Sequence, residues 1–504
     1  MEATAATKTE AETGGAQGGA QSWVDRLWGS ILERTGLGGA GRTGTEPRGA
    51  DGAAAAMAEL PPLERAKRLA EALLSERGEA SGAAVARELQ AASRELDADG
   101  RATLYRFVAE NFGPDAARLR AAAEAWLSEP TPENAARLAE ASEPPRQELL
   151  RRMNMTPGGT AALVAARREV LGRLREEPAL KALDSDLKHL LGSWFNRGFL
   201  ELRRIDWQTP AAVLEKLIQY EAVHEIQGWD DLRRRLAADR RCFGFFHPAL
   251  PGEPLIFVEV ALVEGLASAV QPLLARDQAC EDAAGRCAAR ADTAIFYSIS
   301  NCQEGLRGVS FGNFLIKQVV EELKAELPRL GRFATLSPVP GFRRWLEGRL
   351  SSPDAAADLL HGSEMVAVLT AAGDGGADGP AALSALLRHD RWWEDADRAE
   401  ALRAPLTRLC AEYLTAANGG RGPRDPVARF HLGNGARLER VNWLGNTAPR
   451  GMRESHGLMV NYLYDLGSIE ANHEAFVRNG TVARSAEVDA LLGTAAAPAG
   501  PRRG

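Results

Sequence analysis

Residues 293–345 read TAIFYSISNCQEGLRGVSFGNFLIKQVVEELKAELPRLGRFATLSPVPGFRRW, and they contain the clearest secondary-structure pattern in the chain. An apolar run at 294–299, rich in β-branched and aromatic side chains, predicts a strand. A glycine-bearing turn follows at 307–313, and apolar residues then recur at a 3.6-residue period, which predicts a helix that Pro328 ends. The apolar face of that helix consists of Leu315, Ile316, Val319, Val320, Leu323 and Leu327. A second predicted strand at 332–336 completes a strand–loop–helix–strand unit.

The loop in front of this helix has the features of an anion site. The first N–H groups of a helix have no partner inside it, and the helix dipole is positive at that end. Gly308 and Gly312 would let an anion approach the backbone, and Arg307 adds a positive charge. The loop lacks the Lys-Ser/Thr ending of a Walker loop and the spacing of a GxGxxG fingerprint. Its pattern, Arg-Gly-x-Ser-x-Gly-x-x-Leu, resembles the pyrophosphate loop with which acetyltransferases bind coenzyme A, although an ordinary strand–helix turn would need the same glycines.

Composition and charge exclude several classes of protein. The 504 residues are 45% hydrophobic, which is enough for at least two domains with their own cores. A formal net charge of −7 argues against a nucleic-acid partner. No apolar run reaches the roughly 18 residues of a membrane-spanning helix. The five cysteines form no CxxC pair and the Ala-, Gly- and Arg-rich composition indicates a bacterial protein, so we expect a reducing bacterial cytoplasm.

The N-terminal segment, residues 1–58, is rich in small residues and poor in large apolar ones, which predicts a mostly disordered chain. Its exception is 22–36, SWVDRLWGSILERTG, which predicts a short amphipathic helix. One face of this helix carries Trp23, Val24, Leu27, Trp28, Ile31 and Leu32. Either the helix docks on its own domain, or it binds a partner or a membrane surface.

The remainder of the chain divides by its periodicity. Residues 59–191 repeat apolar side chains at helical spacing, with Gly and Pro between the runs, which predicts a helical domain that serves packing or oligomer assembly. Residues 192–492 mix helices with strands, because runs at 241–246 and 255–262 add to the two strands above. Residues 493–504 are expected to form a flexible tail. The predicted fold class is therefore α+β, with a helical domain followed by a mixed α/β domain.

A second dense region, residues 430–466, holds hydrogen-bonding side chains at a density unusual for a core segment. They are His431, Asn434, Asn442, Trp443, Asn446, His456, Asn461, Tyr462 and Tyr464. No paired His/Cys spacing predicts a metal site, and a Ser–His–acid hydrolase would lack its GxSxG elbow. We interpret the histidines at 224, 247 and 456 as structural.

Several ordered stretches strongly resemble the malonyl-CoA decarboxylase family. The stretches are WFNRGFLELRRIDWQTP at 194–210, EAVHEIQGWDDLRRRL at 221–236, PGEPLIFVEVAL at 251–262, the whole of 293–345, HLGNGARLERVNW at 431–443 and SHGLMVNYLY at 455–464. The resemblance implies a helical domain used in tetramer assembly and a catalytic domain of acetyltransferase-like (GNAT-like) fold. It also implies conversion of malonyl-CoA to acetyl-CoA and CO2. The composition and charge described above predict a cytoplasmic location without a nucleic-acid or membrane partner.

The resemblance also assigns residues. The family's coenzyme-binding loop falls on Arg307, Gly308, Val309, Ser310, Phe311, Gly312 and Asn313. Its serine falls on Ser337 and its histidine on His431, both of which contact the substrate, and the second tyrosine of Asn-Tyr-x-Tyr falls on Tyr464. Animal members carry a glutamate where this chain has Ser310, so a carboxylate role at that position cannot be transferred to this chain.

The expected chemistry suits these residues. Decarboxylation leaves an enolate whose electron sink is the thioester carbonyl, so neither a metal nor an organic cofactor is expected. Ser337 would orient the carboxylate, and His431, with a pKa near neutrality, would protonate the enolate carbon. Tyr464 would orient that histidine or share the proton transfer. Each residue also has a plain structural explanation: Ser337 as a turn former, His431 as a loop histidine and Tyr464 as a core tyrosine.

Two other functions remain open on the residues alone. A CoA-dependent acyltransferase of the same fold would need an acceptor groove. A non-catalytic acyl-CoA-binding scaffold, assembled through the helical domain, would bind the thioester and leave it intact. Malonyl-CoA offered without an acceptor discriminates all three functions, because only a decarboxylase releases CO2.

Overall fold

The computed structural model divides the chain into two compact units. It describes residues 57, 59–75, 79–275, 281–309, 311, 315–356, 358–373, 378–416 and 422–493. The first unit contains the described residues up to Phe199, together with Pro248–Pro251 and the described residues from Gln303 to Val309. The second unit contains the rest. The amphipathic helix predicted at 22–36 and nearly all of the predicted tail lie outside the described residues.

The first unit is helical, as predicted. Its described helices are α1 (Pro62–Ser75), α2 (Glu79–Glu95), α3 (Ala98–Asn111), α4 (Ala116–Ser128), α5 (Pro132–Ser142), α6 (Pro145–Asn154), α7 (Gly159–Arg173) and α8 (Lys181–Trp194). Local sequence sets several of their starts: Asp97 and Asp115 accept hydrogen bonds from the first backbone N–H groups of α3 and α4, and Thr131 does so for α5. Buried leucines and valines from α1, α2, α3, α6, α7 and α8 form the core.

Helices α4 and α5 form a hairpin that contributes little to this core. Helix α4 buries none of its residues, and α5 buries only Ala141. The hairpin leaves Trp126 38% exposed and Leu127 74% exposed. It therefore presents an apolar surface that the described residues of this unit do not cover.

The second unit is built on one mixed sheet of eight strands. They are β1 (Glu201–Ile205), β2 (Arg240–Phe246), β3 (Pro254–Val263), β4 (Thr293–Asn301), β5 (Arg332–Thr335), β6 (Ser337–Pro338), β7 (Arg437–Asn442) and β8 (Met459–Leu463). The order is β1-β2-β3-β4-β5-β8-β6, with β7 on β8, and only β4 and β5 pair in parallel. The four predicted strands are confirmed, and so is the mixed α/β class of this domain. The acetyltransferase-like assignment of this unit stays a prediction.

Strands β4 and β5 pair in parallel over four residues and then separate. The candidate site described below lies where they separate. The register between β4 and β5 runs from Thr293 opposite Arg332 to Phe296 opposite Thr335, and Leu336 N donates to Phe296 O at 2.9 Å. Beyond this point β4 continues to Asn301 along β3 alone, whereas the other strand resumes as β6 against β8. A gap opens between the two strands where the pairing stops.

The second unit also contains fourteen described α-helices. They are α9 (Ala211–Tyr220), α10 (Trp229–Arg235), α11 (Gln271–Leu274), α12 (Glu281–Arg290), α13 (Leu315–Glu326), α14 (Phe342–Leu350), α15 (Pro353–Ala356), α16 (Gly362–Ala372), α17 (Gly379–Arg388), α18 (Ala396–Thr415), α19 (Pro426–Gly433), α20 (Pro449–Ser455), α21 (Ile469–Asn479) and α22 (Ala486–Leu491). The helix predicted after the glycine turn is α13, and its five buried apolar residues are among those on the predicted face. Among the described helices, none is long and apolar enough to cross a bilayer.

Candidate active site

Ser337, His431 and Tyr464 come together in the second unit and form a hydrogen-bonded chain. Ser337 begins β6, His431 lies in α19, and Tyr464 follows β8, where its N–H donates to Phe333 O at 2.8 Å. The Oγ atom of Ser337 lies 3.1 Å from Nε2 of His431, and the hydroxyl of Tyr464 lies 2.7 Å from Nδ1 of the same ring. All three side chains are buried. The sequence predicted these residues, and the structure brings them into contact.

Burial determines which atoms carry the protons in this hydrogen-bonded chain. It raises the pKa of Tyr464 well above the usual range, so the phenol stays protonated and donates to Nδ1 of His431. Burial also lowers the pKa of His431 to about 3, so the ring is neutral and carries its proton on Nε2, facing Ser337. Ser337 in turn donates to Oγ1 of Thr335 at 2.8 Å. The expectation of a histidine pKa near neutrality is therefore wrong, because it ignored desolvation.

Neighbouring groups hold His431 in this orientation. Asp425 caps α19, and its Oδ1 accepts hydrogen bonds from Val427 N and Ala428 N, each at 2.9 Å. The ring of Tyr462 stacks on that of His431 with the centroids 4.6 Å apart. Burial raises the pKa of the Asp425 carboxyl to about 6. Since the ring is fixed by stacking on one face and by hydrogen bonds at both nitrogens, its position is set before any substrate arrives.

A cavity of about 280 Å³ opens beside Ser337 and His431 at the gap in the sheet. It is lined by Val223, Phe245, Ile256, Val258, Phe296, Tyr297, Ser298, Ile299, Asn301, Leu315, Ile316, Leu336, Ser337, Pro338, Pro426, Val427, Phe430 and His431. Among these described residues there is no acidic or basic side chain apart from the neutral imidazole of His431. The cavity is therefore apolar, with hydroxyl, amide and imidazole groups as its polar contacts.

A second cavity, of about 200 Å³, shares Val223, Pro338 and Val427 with the first. His224 and Arg450 line it, and Nε2 of His224 has no hydrogen-bond partner among the described residues. Burial first, and then the charges of Arg235 and Arg450, lower the pKa of His224 to about 4. Sequence reasoning interpreted His224 as structural. Its position within the family-like stretch 221–236 was the signal that could have directed attention to it.

The predicted coenzyme loop is described only in part. Arg307, Gly308 and Val309 belong to the first unit and Phe311 to the second, whereas Ser310, Gly312 and Asn313 lie outside the described residues. Gly308 has a φ of 75°, a backbone conformation that favours glycine.

The described residues also bear on the interpretation of the histidines and on metal binding. They contain no cluster of three or more His, Cys, Asp or Glu side chains that could hold a metal ion. His456 is buried against Trp392 with a φ of 53°, and it lines neither of the two cavities.

Two family models match most of the chain. The model described as the malonyl-CoA decarboxylase C-terminal domain matches residues 198–500, and the one described as the N-terminal domain matches residues 112–195. Curated relatives include the mitochondrial malonyl-CoA decarboxylase of Anser anser anser, 36% identical over 444 residues, which cover 85% of this chain and 85% of that protein. The Rattus norvegicus enzyme is 36% identical over 363 residues, covering 71% and 73%.

Solved structures of malonyl-CoA decarboxylases also match this chain. The crystal structure of malonyl-CoA decarboxylase from Rhodopseudomonas palustris is 51% identical with a TM-score of 0.75, and the match covers 84% of this chain and 98% of that one. The Agrobacterium vitis structure is 48% identical with a TM-score of 0.74, covering 85% and 99%.

Proposed function

The chain belongs to the malonyl-CoA decarboxylase family, and on that premise we propose that it converts malonyl-CoA into acetyl-CoA and CO2. Ser337 orients the substrate carboxylate, and His431 protonates the carbon from which CO2 departs. The observation that carries the proposal is the hydrogen-bonded chain from Tyr464 through His431 to Ser337 at an uncharged cavity.

The uncharged cavity favours loss of CO2. A malonyl carboxylate that enters it gives up its water shell and meets no fixed positive charge from the described lining residues. Breaking the C–C bond moves the negative charge into the thioester, where it is spread over carbon and oxygen, so an apolar surrounding disfavours the localised charge of the carboxylate more than the product enolate. Because the thioester carbonyl accepts the electron pair, the step requires no metal and no organic cofactor.

Ser337 supplies the orientation. In the structure its hydroxyl proton points to Thr335 Oγ1, and its oxygen accepts from Nε2 of His431. With substrate present, the hydroxyl rotates and donates to a carboxylate oxygen. It thereby holds the breaking C–C bond in line with the thioester π system while the contact with His431 is kept.

His431 completes the reaction. The enolate carbon takes the proton from Nε2, and Nδ1 takes the phenolic proton of Tyr464 across their 2.7 Å contact. A neutral imidazole suffices as the acid, because a thioester enolate is strongly basic and the second transfer keeps the ring neutral as its Nδ1–H tautomer. Solvent then protonates Nε2, and Nδ1 returns its proton to the Tyr464 phenolate, which restores the starting state. One solvent-derived hydrogen therefore enters the methyl group of acetyl-CoA in each turnover.

The test is to offer malonyl-CoA alone and to measure CO2 and acetyl-CoA. Stoichiometric release of both supports decarboxylation. An acyltransferase would release CO2 only with an acceptor or not at all, and a scaffold would bind malonyl-CoA and return it unchanged. The variant His431→Asn, assayed at the same enzyme concentration, controls for spontaneous decarboxylation.

We also propose that the protein is a cytoplasmic homo-oligomer, a tetramer by family resemblance, assembled through the helical unit. The apolar surface of the α4–α5 hairpin, with Trp126 and Leu127 exposed, supports this assembly. We expect Leu127→Glu to lower the molar mass measured by light scattering. Val477→Glu, at an apolar residue of the second unit that is 66% exposed, is the matched control and should keep the wild-type mass.

A further inference from the structure

We propose that Lys188, on helix α8 of the first unit, binds a phosphate group of coenzyme A together with Arg307 and the backbone at Gly308. The inference rests on the proposed function, because it adds Lys188 to the coenzyme-binding positions Arg307 and Gly308. It gives the helical unit a part in substrate binding in addition to assembly.

The segment that carries Gly308 is built into the first unit. Arg167, whose side chain is 1% exposed, donates from Nη1 to Gly305 O at 2.7 Å and pairs through Nε with Asp184 at 2.9 Å. A Cβ at Gly305 would lie 1.9 Å from the carbonyl oxygen of Val164, so the backbone of this segment touches the backbone of α7. The short 3-10 helix Glu304–Leu306 is therefore fixed, and it delivers the next residues at a defined place.

Lys188 meets the loop at that place. A Cβ at Gly308 would lie 3.6 Å from Nζ of Lys188 and 3.7 Å from its Cε. Arg307, Gly308 and Lys188 are all exposed. None of the ion pairs found among the described residues uses the Lys188 ammonium, and Arg307 has only a 3.6 Å contact with the exposed Glu304. The Lys188 ammonium thus lies beside Gly308, and Arg307, the preceding residue in the chain, supplies a second cation whose contact with Glu304 is weak.

This arrangement fits a phosphate. Lys binds phosphate as a point charge and Arg as a planar fork, and a glycine beside the ammonium lets an oxygen approach the backbone without a side chain in the way. A chain of net charge −7 repels a polyanion in general, so local cations are needed to hold one. Coenzyme A offers a diphosphate and a 3′-phosphate. Inorganic phosphate shares this chemistry, and the experiment separates it from the coenzyme.

The test compares Lys188→Gln with two matched variants. Lys188→Arg keeps the charge, and Lys181→Gln removes an exposed lysine two turns earlier on the same helix. By calorimetry we expect Lys188→Gln to raise the Kd for coenzyme A by about tenfold, which is the loss of one charge-assisted hydrogen bond. Lys188→Arg should recover most of the affinity, and Lys181→Gln should bind as the wild type does. Equal affinities for Lys188→Gln and Lys181→Gln would overturn the proposal.

Truncated ligands separate phosphate binding from a change in folding. Malonyl-pantetheine lacks the diphosphate and the 3′-phosphate, so Lys188→Gln and the wild type should decarboxylate it with the same KM and kcat. If the variant is impaired on this substrate as well, Lys188 has a structural role and the proposal fails. A tenfold loss for coenzyme A that persists with 3′-dephospho-coenzyme A assigns the contact to the diphosphate. A loss that vanishes with it assigns the contact to the 3′-phosphate.

Competition with inorganic phosphate and the CO2 assay of the wild type provide two further measurements. Inorganic phosphate that displaces coenzyme A from the wild type at millimolar concentration, and less effectively from Lys188→Gln, supports the site. Phosphate that binds both proteins equally, with coenzyme affinity also equal, rejects it. Failure of the wild type to release CO2 would reject the proposed function alone, because calorimetry with coenzyme A reports on Lys188 without turnover.

Discussion

At the scale of single residues, the geometry assigns different tasks to side chains that share one hydrogen-bonded chain. Tyr464 donates to His431, and His431 presents its remaining proton to Ser337. Each contact depends on the next, since the tautomer of the ring is set by the phenol behind it. Replacing one member should therefore change the rate more than the binding of substrate.

The first prediction concerns His431. We expect His431→Asn to lower kcat by roughly 10² to 10⁴, the range for a lost general acid, and to leave the Kd for malonyl-CoA within a few-fold of the wild type. In D2O the wild-type product should carry one deuterium from the bound acid. A folded variant that turns over at the wild-type rate would remove His431 from the mechanism.

The second prediction concerns the phenol of Tyr464. Tyr464→Phe keeps the buried ring but removes the donor to Nδ1, so the neutral imidazole is no longer held with its proton on Nε2. We expect kcat to fall by about 10- to 100-fold with KM nearly unchanged, since one strong hydrogen bond is lost. The loss should be smaller than that of His431→Asn. An equal or larger loss would show that Tyr464 is itself the proton donor to carbon.

The identities of these residues could be predicted from sequence, and their protonation could not. Ser337 and His431 were found through the family motifs, because residue type and spacing survive in the sequence. The pKa of His431 depends on how completely the fold excludes water from the ring, which no local pattern records. His224 was interpreted as structural although it lies in the family-like stretch 221–236, because only the fold shows that its ring lines a cavity.

At the scale of elements, helix α19 is the part that positions the reacting ring. Its start depends on one buried carboxylate, Asp425, which accepts from two backbone N–H groups. Its last turn carries His431 against Tyr462. Loss of the cap would loosen the helix at the end opposite to the ring and would shift the ring through the helix backbone.

The third prediction tests that cap. Asp425→Ala removes both hydrogen bonds and should lower the free energy of unfolding in urea by about 1 kcal/mol, with a parallel fall in kcat. Asp425→Asn keeps an acceptor oxygen and should retain more activity than the alanine variant. If both variants match the wild type in stability and rate, the cap does not position His431.

Local sequence identified the strands with continuous apolar runs and missed those that depend on pairing. Strand β8, MVNYL, contains the fully buried Asn461, whose amide donates to Thr335 O at 2.7 Å and accepts from Asn442 at 2.9 Å. In a sequence, an asparagine in that position is more typical of a loop than of a strand, and so β8 was not predicted. Its hydrogen bonds join strands where the backbone register is interrupted, and so the polar density noticed in the sequence is a buried network.

At the scale of the whole molecule, burial of histidines makes stability depend on pH. His224, His431 and His456 have pKa values lowered to about 4, 3 and 3, with burial as the leading cause. The unfolded chain takes up these protons at a pKa near 6.5, and the folded protein does not until much lower pH. The contribution is therefore complete above about pH 6.5 and is lost as pH falls toward 4 and 3.

The fourth prediction isolates one of these groups. His456 has a φ of 53°, which asparagine tolerates, so His456→Asn removes the titrating ring without new backbone strain. Between pH 6.5 and 5, the free energy of unfolding should fall less steeply with pH in this variant than in the wild type. The two slopes should differ by up to about 1.4 kcal/mol per pH unit. His389→Asn, at an exposed histidine, is the control. Parallel pH curves for the wild type and His456→Asn would contradict the prediction.

Two short segments of the later chain, Pro248–Pro251 and the described residues from Gln303 to Val309, belong to the helical unit. The polypeptide leaves and re-enters that unit after its N-terminal portion has ended, so no single cut in the gene separates the two units. If recombination replaced the chain up to Phe199, Gly305 would lose the Val164 carbonyl against which it packs. It would also lose the Arg167 guanidinium that donates to its carbonyl oxygen. Exchange of the helical unit for an unrelated one would therefore also require changes in Pro248–Pro251 and in the segment from Gln303 to Val309.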